Sequence, residues 1–268
     1  MTSHTPKSVI HQSIVRSRRE ITPGLVVLQF ENEFVASNTQ PGQFVNILPK
    51  IGFSDPLLRR PFSVYNITGN LVEIIIQDHG RGTNVIANTN VGEMLDVLGP
   101  LGNPWHFNTT NYKTAILVLG GVGVASMPLL TKSLAKQHRQ LVTFYGARTS
   151  SLFADEYLLN VQHSTDDGTR GYHGSVIDNL RNHLSAGAYE NPKLFVCGPT
   201  GMMRAARTLA DEFGIMCEVS LETEMACGIG ICQGCPILLS ESEAEKANRK
   251  FYLVCTHGPS FEKEAIVL

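Results

Sequence analysis

Three successive sequence patterns predict an α+β multidomain protein: an N-terminal antiparallel β-barrel, a central Rossmann-like α/β parallel sheet and a small cysteine-bearing C-terminal domain. Short β-rich runs fill the first part, strands alternate with helices in the second, and four regularly spaced cysteines lie in the third. We expect the domains to span residues 1–106, 107–215 and 216–268, whereas the chain length alone suggests about two domains.

The N-terminal part resembles a barrel because its apolar runs are short and are separated by turn residues. Residues 24–30, 43–48 and 71–76 are rich in Val, Ile, Leu and Phe, and Pro-Gly, Gly-Asn and Gly-Glu pairs punctuate the sequence between such runs. Many short strands with this punctuation are typical of a closed β-sheet.

The central part alternates between strand and helix patterns, as a parallel sheet requires. Strands are predicted at residues 114–119, 141–145 and 194–196, and helices at 126–138, near 176–183 and at 202–213. In the C-terminal part, the tract 240–250 mixes acidic and basic residues, and we expect it to be a solvated loop.

Four cysteines of the C-terminal part follow the order C-x4-C-x2-C with a distant fourth, the plant-type spacing of a [2Fe-2S] site. They are Cys227, Cys232, Cys235 and Cys255. Gly228 and Gly230 let the backbone between the first two curl with its N–H groups inward. A structural zinc site is the alternative, although zinc ribbons usually pair two C-x2-C knuckles and only one is present here. Disulfides are less favoured, because no secretory signal pattern opens the sequence and cysteines are sparse.

The remaining cysteines, Cys197 and Cys217, are expected to be small buried apolar residues.

The barrel part contains the run Arg60-Pro61-Phe62-Ser63, which suits a flat, phosphate-bearing ligand. A guanidinium group binds pyrophosphate through two parallel hydrogen bonds, an aromatic ring packs on a ring system, and a serine offers its hydroxyl to the ring edge. Further on, Gly82 allows close backbone approach and Thr83 is expected to start a helix that receives phosphate. The alternative is a surface ion pair for Arg60 and a core position for Phe62.

A glycine-rich turn, residues 119–126, follows an apolar strand and precedes a helix, which is the context of a nucleotide site. The full dinucleotide fingerprint is not met, because Ser126 replaces the third glycine and the next strand ends without an acidic residue for a ribose hydroxyl. The run Cys197-Gly198-Pro199 again ends a strand before a helix, so it is expected at the same edge of the sheet.

Composition excludes several classes of protein. The net charge of -2 provides no basic field for nucleic acid, and no apolar run approaches the ~20 residues of a membrane span. We therefore expect a cytoplasmic protein. No catalytic triad or carboxylate pair is evident in the sequence.

The combined motifs resemble the ferredoxin-reductase superfamily and, within it, the electron-transfer subunits of type B dihydroorotate dehydrogenases. The resemblance covers nearly the whole chain, and its most specific parts are residues 225–230 and the Gly258-Pro259 pair after the last cysteine. It implies a pyrimidine-biosynthesis oxidoreductase subunit that carries electrons between NAD(H), FAD and a [2Fe-2S] cluster. Its partner would be an FMN-containing dihydroorotate dehydrogenase catalytic subunit, in a heterotetramer of two plus two.

By matching position, the resemblance also implies the site residues. For FAD they are Arg60, Pro61, Phe62, Ser63, Ile75, Ile76, Gln77, Gly82 and Thr83. For the nicotinamide nucleotide they are Gly120, Gly121, Gly123, Val124, Cys197, Gly198 and Pro199. For iron they are Cys227, Cys232, Cys235 and Cys255. Ile76-Gln77 stands where relatives often have Tyr-Arg, which leaves one flavin contact absent or made by Arg81. No motif decides between NAD and NADP.

Two other functions fit parts of the sequence. A related subunit of an NAD(P)H:ferredoxin oxidoreductase or of a hydrogenase complex would share the same three parts. A zinc-binding interaction module would use the cysteines alone and would leave the glycine-rich turn and the Arg60 motif without a purpose.

Overall fold

The computed structural model describes residues 9–22, 24–52, 55–137 and 139–268. It confirms the predicted fold class: a closed antiparallel barrel is followed by a largely parallel α/β sheet and a small cysteine-bearing segment. No helix in these ranges is long and apolar enough to cross a membrane.

Six strands close the barrel in the order β1-β2-β5-β4-β3-β6. Their bounds are β1 (Val9–Thr22), β2 (Leu25–Glu31), β3 (Phe44–Leu48), β4 (Arg60–Thr68), β5 (Leu71–Gln77) and β6 (Met94–Leu101), with the helices α1 (Glu33–Asn38) and α2 (Arg81–Ala87). Alternating residues such as Val45, Ile47, Val64 and Ile74 fill the interior. Helix α2 begins two residues before the predicted start at Thr83, because Gly80 with φ +137° turns the chain into it.

The second sheet has seven strands in the order β10-β9-β8-β7-β11-β12-β15. Its strands are β7 (Thr114–Gly120), β8 (Gln140–Ala147), β9 (Val161–Thr165), β10 (Tyr172–His173), β11 (Pro192–Cys197), β12 (Met216–Ser220) and β15 (Ser260–Glu262), and its helices are α3 (Pro128–Lys136), α4 (Val176–Ser185) and α5 (Thr200–Glu212). All neighbours pair in parallel except β12 and β15.

Helices cover both faces of this sheet. Ile116 and Val118 of β7 pack with residues of α4 and α5, whereas Leu117 and Leu119 pack with α3. Strand β7 is buried along its whole length, which explains its continuous apolar sequence. Such two-sided covering leaves the carboxyl edge of the strands free for ligands.

The ends of several predicted elements differ from the structure by one or two residues, and two departures have a physical reason. The helix predicted at 126–138 begins at Pro128, since proline lacks an N–H group and suits the first helical turn, and a 3₁₀ turn occupies Gly121–Ser126. It ends at Lys136, and His138 lies outside the described residues. The tract 240–250 is not a loop throughout, because Ser240 caps the helix α6 (Glu241–Ala247) by accepting a hydrogen bond from the Glu243 N–H.

The cysteine segment leaves the sheet after β12 and returns to it at β15. Between these strands lie α6, the antiparallel pair β13 (Pro236–Leu238) and β14 (Phe251–Leu253), and α7 (Val254–His257). Residues 216–268 therefore contribute two strands to the seven-stranded sheet as well as the cysteines.

Candidate cofactor site

The loop after β12 holds three of the four spaced cysteines, and glycines give it its curvature. Gly228 and Gly230 have φ of +72° and +83°, a left-handed conformation that other residues rarely adopt. The N–H groups of Ile229 and Cys232 point at the Cys227 sulfur, with N to Sγ distances of 3.5 and 3.4 Å. The predicted inward turn of the backbone N–H groups is therefore present.

The four cysteines form two pairs. Cys227 and Cys232 are direct neighbours, and the Cys255 N–H lies 3.5 Å from the Cys235 sulfur with the two thiols in contact. Cys235 and Cys255 are buried, whereas Cys232 is exposed. Two pairs of thiolates are what two adjacent iron ions require, one pair for each ion.

The distances among the cysteine sulfur atoms argue against a zinc site. With Zn–S bonds of ~2.3 Å, the sulfurs of a tetrahedral zinc site lie ~3.8 Å apart in every combination. Across the described residues, the one group of three potential ligands with all atoms within 4.8 Å of one another is His106, Glu218 and Glu262, not a set of cysteines. The cysteine geometry therefore fits a binuclear cluster better than a single zinc ion.

A lysine pairs with both carboxylates of the group formed by His106, Glu218 and Glu262. The Lys193 ammonium lies 3.0 Å from Glu218 Oε2 and 3.1 Å from Glu262 Oε1, and it also donates to the His106 carbonyl. Glu218 and Lys193 are buried whereas His106 and Glu262 reach the surface, so the group is an ion-pair network that extends from the interior to the surface.

Cys227 and Cys255, one thiol from each pair, have pKa values shifted in opposite directions. Burial opposes ionisation of Cys227, but the N–H groups of Cys232 and Ile229 donate to its sulfur, and the pKa falls to about 7. Burial and the neighbouring Cys235 thiol raise the pKa of Cys255 to about 12. Because a thiol must lose its proton to bind iron, iron binding must displace a tightly held proton from Cys255.

A cavity of about 480 Å³ lies between the barrel and the second sheet. Six of the residues predicted to hold FAD line it: Pro61, Phe62, Ser63, Ile75, Gln77 and Thr83. Met225 and Pro259, which flank the cysteine loop and the last cysteine, line it as well. The wall of this cavity therefore continues into both cysteine segments.

Arg60 lies beside this cavity, over the start of α2. A Cβ atom on Gly82 would come within 2.6 Å of the Arg60 Nε, so the guanidinium packs directly on the glycine. The Arg60 side chain donates to the carbonyls of Leu58 and Arg59 and, within the part of the chain that the structure describes, has no carboxylate within ion-pair distance. An unneutralised cation beside a ring-sized cavity fits the pyrophosphate of FAD.

Two predicted flavin residues lie elsewhere or play another part. The Ile76 side chain is fully buried in the barrel core and does not line the cavity. The Thr83 hydroxyl accepts a hydrogen bond from the His79 N–H and donates to the Gly80 carbonyl, which fixes the turn before α2.

A second cavity, of about 460 Å³, adjoins the first through Gln77 and Val122. Gly120, Gly121 and Pro199 line it, as predicted for the nicotinamide nucleotide, while Cys197 lines the first cavity. Burial raises the pKa of Cys197 to about 12, so this thiol stays neutral.

Three other residues predicted at the nucleotide site pack the loops together instead of lining either cavity. Val124 is fully buried in the core. A Cβ atom on Gly123 would collide with the Cys197 carbonyl, and one on Gly198 would lie 2.9 Å from the Gly120 N. These positions keep the strand ends of β7 and β11 close to each other.

Sequence reasoning missed residues that tertiary structure brings into the cavities. In the first cavity they are Phe44, His79, Val122, Ala125 and residues 220–225. In the second, Asp166 and Arg148 stand near Gly146, at the ends of β9 and β8. Asp166 is thus an acidic residue at this cavity that follows β9, one strand further along than the end of β8, where the dinucleotide fingerprint would place one.

Two family comparisons match parts of the chain. The family described as the iron-sulfur cluster binding domain of dihydroorotate dehydrogenase B matches residues 222–267. The family described as an oxidoreductase NAD-binding domain matches residues 117–208.

Similar proteins cover almost the entire chain. The dihydroorotate dehydrogenase B (NAD(+)) electron transfer subunit of Enterococcus faecalis strain OG1RF is 33% identical over 259 residues, 94% of this chain and 96% of its own. The subunit of the same name from Geobacillus kaustophilus is 35% identical over 263 residues, 95% of this chain and 97% of its own.

Solved structures share the fold. A structure of the NADH-dependent reduced ferredoxin-NADP oxidoreductase superposes with a TM-score of 0.83 at 27% identity, over 95% of this chain and 89% of that chain. A ferredoxin NADP+ reductase from Neisseria gonorrhoeae with bound FAD and NADP has a TM-score of 0.63 at 13% identity, over 76% of this chain and 92% of that chain, and shows the fold alone.

Proposed function

The chain belongs to the family of dihydroorotate dehydrogenase B electron transfer subunits, and we propose that it carries electrons between NAD(H) and a separate dihydroorotate dehydrogenase catalytic subunit in pyrimidine biosynthesis. It is an oxidoreductase whose cofactors are FAD, a [2Fe-2S] cluster and NAD. In this proposal full activity requires the catalytic partner, because the dihydroorotate site lies on that separate subunit.

One observation carries this proposal: two adjoining cavities lead to two pairs of cysteines. The nucleotide cavity meets the flavin cavity at Gln77 and Val122, and the flavin cavity meets the cysteine segments at Met225 and Pro259. A hydride donor, a flavin and a cluster would therefore stand in sequence.

The residues assigned to each site have distinct tasks. Gly120, Gly121 and Pro199 admit the nicotinamide nucleotide to the carboxyl edge of the sheet, and Arg60 holds the flavin pyrophosphate. Phe62 and Ser63 orient the flavin ring. When bound, the flavin converts the electron pair of a hydride into single electrons, which is what an iron-sulfur centre accepts.

Partner, location and domain boundaries belong to the same proposal. The partner is an FMN-containing catalytic subunit, and we propose a heterotetramer of two plus two. A cytoplasmic location suits the free thiols of the chain, since a reducing compartment keeps cysteines available for iron. We keep 1–106 as the FAD unit, 107–215 as the NAD unit and 216–268 as the cluster unit, with β12 and β15 anchoring the last to the second.

The decisive experiment is coexpression with the catalytic subunit. We expect the purified complex to couple oxidation of dihydroorotate to reduction of NAD⁺, and the isolated chain, purified without oxygen, to hold one FAD and two irons. A complex that oxidises dihydroorotate with artificial acceptors but never reduces NAD⁺ would refute the assignment.

A second candidate is favoured by the structural similarity to the NADH-dependent reduced ferredoxin-NADP oxidoreductase. In that case the chain would donate electrons to ferredoxin, or accept electrons from it, in a related complex. Reduction of ferredoxin by the chain and NADH, without any response to the catalytic subunit, would favour this candidate.

A further inference from the structure

Two asparagine side chains reach from the barrel into the two cysteine segments. The Asn46 Nδ2 donates to the Cys227 carbonyl at 3.2 Å. The Asn103 Nδ2 donates to the carbonyls of Thr256 and His257, at 3.2 and 2.9 Å, directly after Cys255. One amide therefore binds the backbone of the loop that begins at Cys227, and the other binds the backbone directly after Cys255.

Asn46 stands between strand β4, which lines the flavin cavity, and the loop that contains Cys227. It is fully buried on β3 and pairs with Pro61 of β4, which lines the flavin cavity. A Cβ atom on Gly228 would lie 2.6 Å from the Asn46 Nδ2, so the loop backbone rests on the amide itself. Because the loop touches the amide so closely, a shift of the side chain would move Cys227.

The opposite end of the Asn46 amide is not satisfied. Its Oδ1 atom is buried and makes no hydrogen bond within the described part of the chain. An unpaired buried acceptor is unfavourable, and an apolar residue of similar size would avoid that cost. Within the described residues the Asn46 side chain is therefore held through its donor side, toward the Cys227 loop.

Asn103 holds the other segment by its backbone as well as its side chain. The Asn103 N–H donates to the Gly258 carbonyl at 2.6 Å. Before it, Gly102 has φ +74°, and a Cβ atom there would lie 2.8 Å from the Pro259 Cδ. The end of β6 thus lies flush against the turn that follows Cys255.

We propose that Asn46 and Asn103 are positioning residues, which together fix the two cysteine pairs at a set place relative to the flavin strand β4. The proposal rests on the proposed function, since it assumes a flavin and a [2Fe-2S] cluster in the sites above. Hydrogen bonds around a metal centre orient its ligands and tune its properties, and their loss typically lowers activity or metal affinity about 10- to 100-fold.

The test compares Asn46→Ala and Asn103→Ala with a matched control, Asn66→Ala, in the full chain purified without oxygen. Asn66 is also a buried barrel asparagine, but its amide donates to Glu73 at 3.0 Å, away from the cysteines. The readouts are FAD and iron per chain, the paramagnetic resonance spectrum after dithionite, the rate of cluster bleaching by NADH, and the rate of iron release to a chelator.

We expect both test variants to keep FAD, to release iron faster, to change the resonance line shape and to bleach about 10- to 100-fold more slowly, while Asn66→Ala matches the wild type. Test variants that equal Asn66→Ala in bleaching, line shape and iron release would overturn the proposal. If an alanine variant loses both cofactors, Asn→Ser at the same position, which keeps a short donor, takes its place under the same criteria. Wild-type protein without flavin or iron would instead refute the proposed function.

Discussion

Arg60 distinguishes a ligand site from an ordinary barrel surface. Three other barrel arginines have carboxylate partners: Arg16 pairs with Glu31, Arg19 with Glu156 and Arg59 with Asp96. Arg18 donates instead to the Ala87 carbonyl and the Asn88 side chain, away from the cavity. Arg60 has carbonyl contacts but no carboxylate within the described ranges, and it packs on Gly82. The alternative of a surface ion pair for Arg60 therefore does not hold within the described ranges. The charge of the Arg60 guanidinium is available to a phosphate.

Replacing Arg60 with alanine should weaken FAD binding. A hydrogen bond to a charged group contributes about 1.5–3 kcal/mol, which corresponds to a roughly 10- to 150-fold higher Kd. The Kd of Arg60→Lys for FAD should lie between those of the wild type and Arg60→Ala, because a lysine keeps the positive charge but lacks the paired N–H donors of a guanidinium group. Titration of flavin-free protein with FAD, followed by flavin fluorescence, measures the effect. Arg16→Ala is the control, and equal Kd values for Arg16→Ala and Arg60→Ala would contradict the assignment.

Asp166 should select NADH over NADPH. Its carboxylate lines the nucleotide cavity together with Arg148 and Gly146. A carboxylate accepts hydrogen bonds from ribose hydroxyls and repels a 2′-phosphate, whereas Arg148 alone would attract that phosphate.

We expect Asp166→Asn to lower kcat/KM for NADH and to raise the NADPH to NADH ratio of kcat/KM about tenfold, since a hydrogen bond of this kind contributes about 1.5 kcal/mol or more. Reduction of an artificial acceptor provides the assay. The neighbouring Asp167→Asn is the control, because the Asp167 carboxylate accepts from Thr169 and does not line the cavity. Identical ratios in both variants would place nucleotide selection elsewhere.

At the scale of elements, long buried strands and the strand-loop-helix turns could be predicted, because each has a strong local signal. Strand β7 is a continuous apolar run, and the glycine turns after β7 and β11 stand where ligands enter parallel sheets. Helix α6 was missed although Ser240 and Glu243 form a capping signal, because its face is exposed and has no apolar period.

The candidate site was predictable only where one segment supplies it. The cysteine spacing and the run from Arg60 to Ser63 are local, so both were read from the sequence. The contribution of Asp166 and of residues 220–225 depends on which strand ends meet at the carboxyl edge, and tertiary pairing alone decides that. Val124 and Gly198 carry the right motif but face the packing between loops.

The network of His106, Glu218, Lys193 and Glu262 joins the linker after the barrel to strands β11, β12 and β15. The hydrogen bond that the His106 ring donates to the Glu218 carboxylate raises the pKa of His106 above its ordinary 6.5, against the opposing effect of burial. Although burial opposes ionisation of Glu218, hydrogen bonding to His106 and the charge of Lys193 hold its pKa below 4.5. At pH values between these two pKa values, both His106 and Glu218 are therefore charged.

His106→Gln should destabilise the protein in a pH-dependent way. A folded pKa above the unfolded one means that the His106 contribution is fully present below about pH 6.5 and is lost as the pH rises through the raised pKa. Because the ring is half exposed, we expect the difference in unfolding free energy to be only about 0.5–1 kcal/mol near pH 6 and close to zero near pH 9. Urea unfolding of both proteins at the two pH values tests this, and a difference that grows with pH would contradict it.

At the scale of the whole molecule, apolar side chains are exposed around the cysteine segment. Leu238 and Phe251 lie directly opposite each other on β13 and β14 and are 45% and 52% exposed. Directly opposite residues share one face of a hairpin. We call these two residues the ribbon face. The hairpin starts right after Cys235 and ends just before Cys255, so a partner docked on it would sit next to the metal.

Phe251→Ser should weaken binding of the catalytic subunit by about 2 kcal/mol, roughly 30-fold, because aromatic anchors dominate interfaces. FAD and iron content should stay unchanged. The control is Leu159→Ser, 46% exposed before β9 at the opposite edge of the sheet. The affinity of each variant for surface-immobilised catalytic subunit tests this prediction. If Phe251→Ser binds as tightly as Leu159→Ser, the ribbon face is not the contact surface.

The chain departs from the sheet at Ser220 and comes back at Ser260, and these two residues pair directly across adjacent antiparallel strands. Neighbouring antiparallel strands can be joined by a two-residue hairpin. Residues 221–259 therefore begin and end at neighbouring positions of one sheet, close enough for a tight turn to bridge, so this stretch forms a single excursion from the edge of the sheet that the barrel contacts through Asn46 and Asn103.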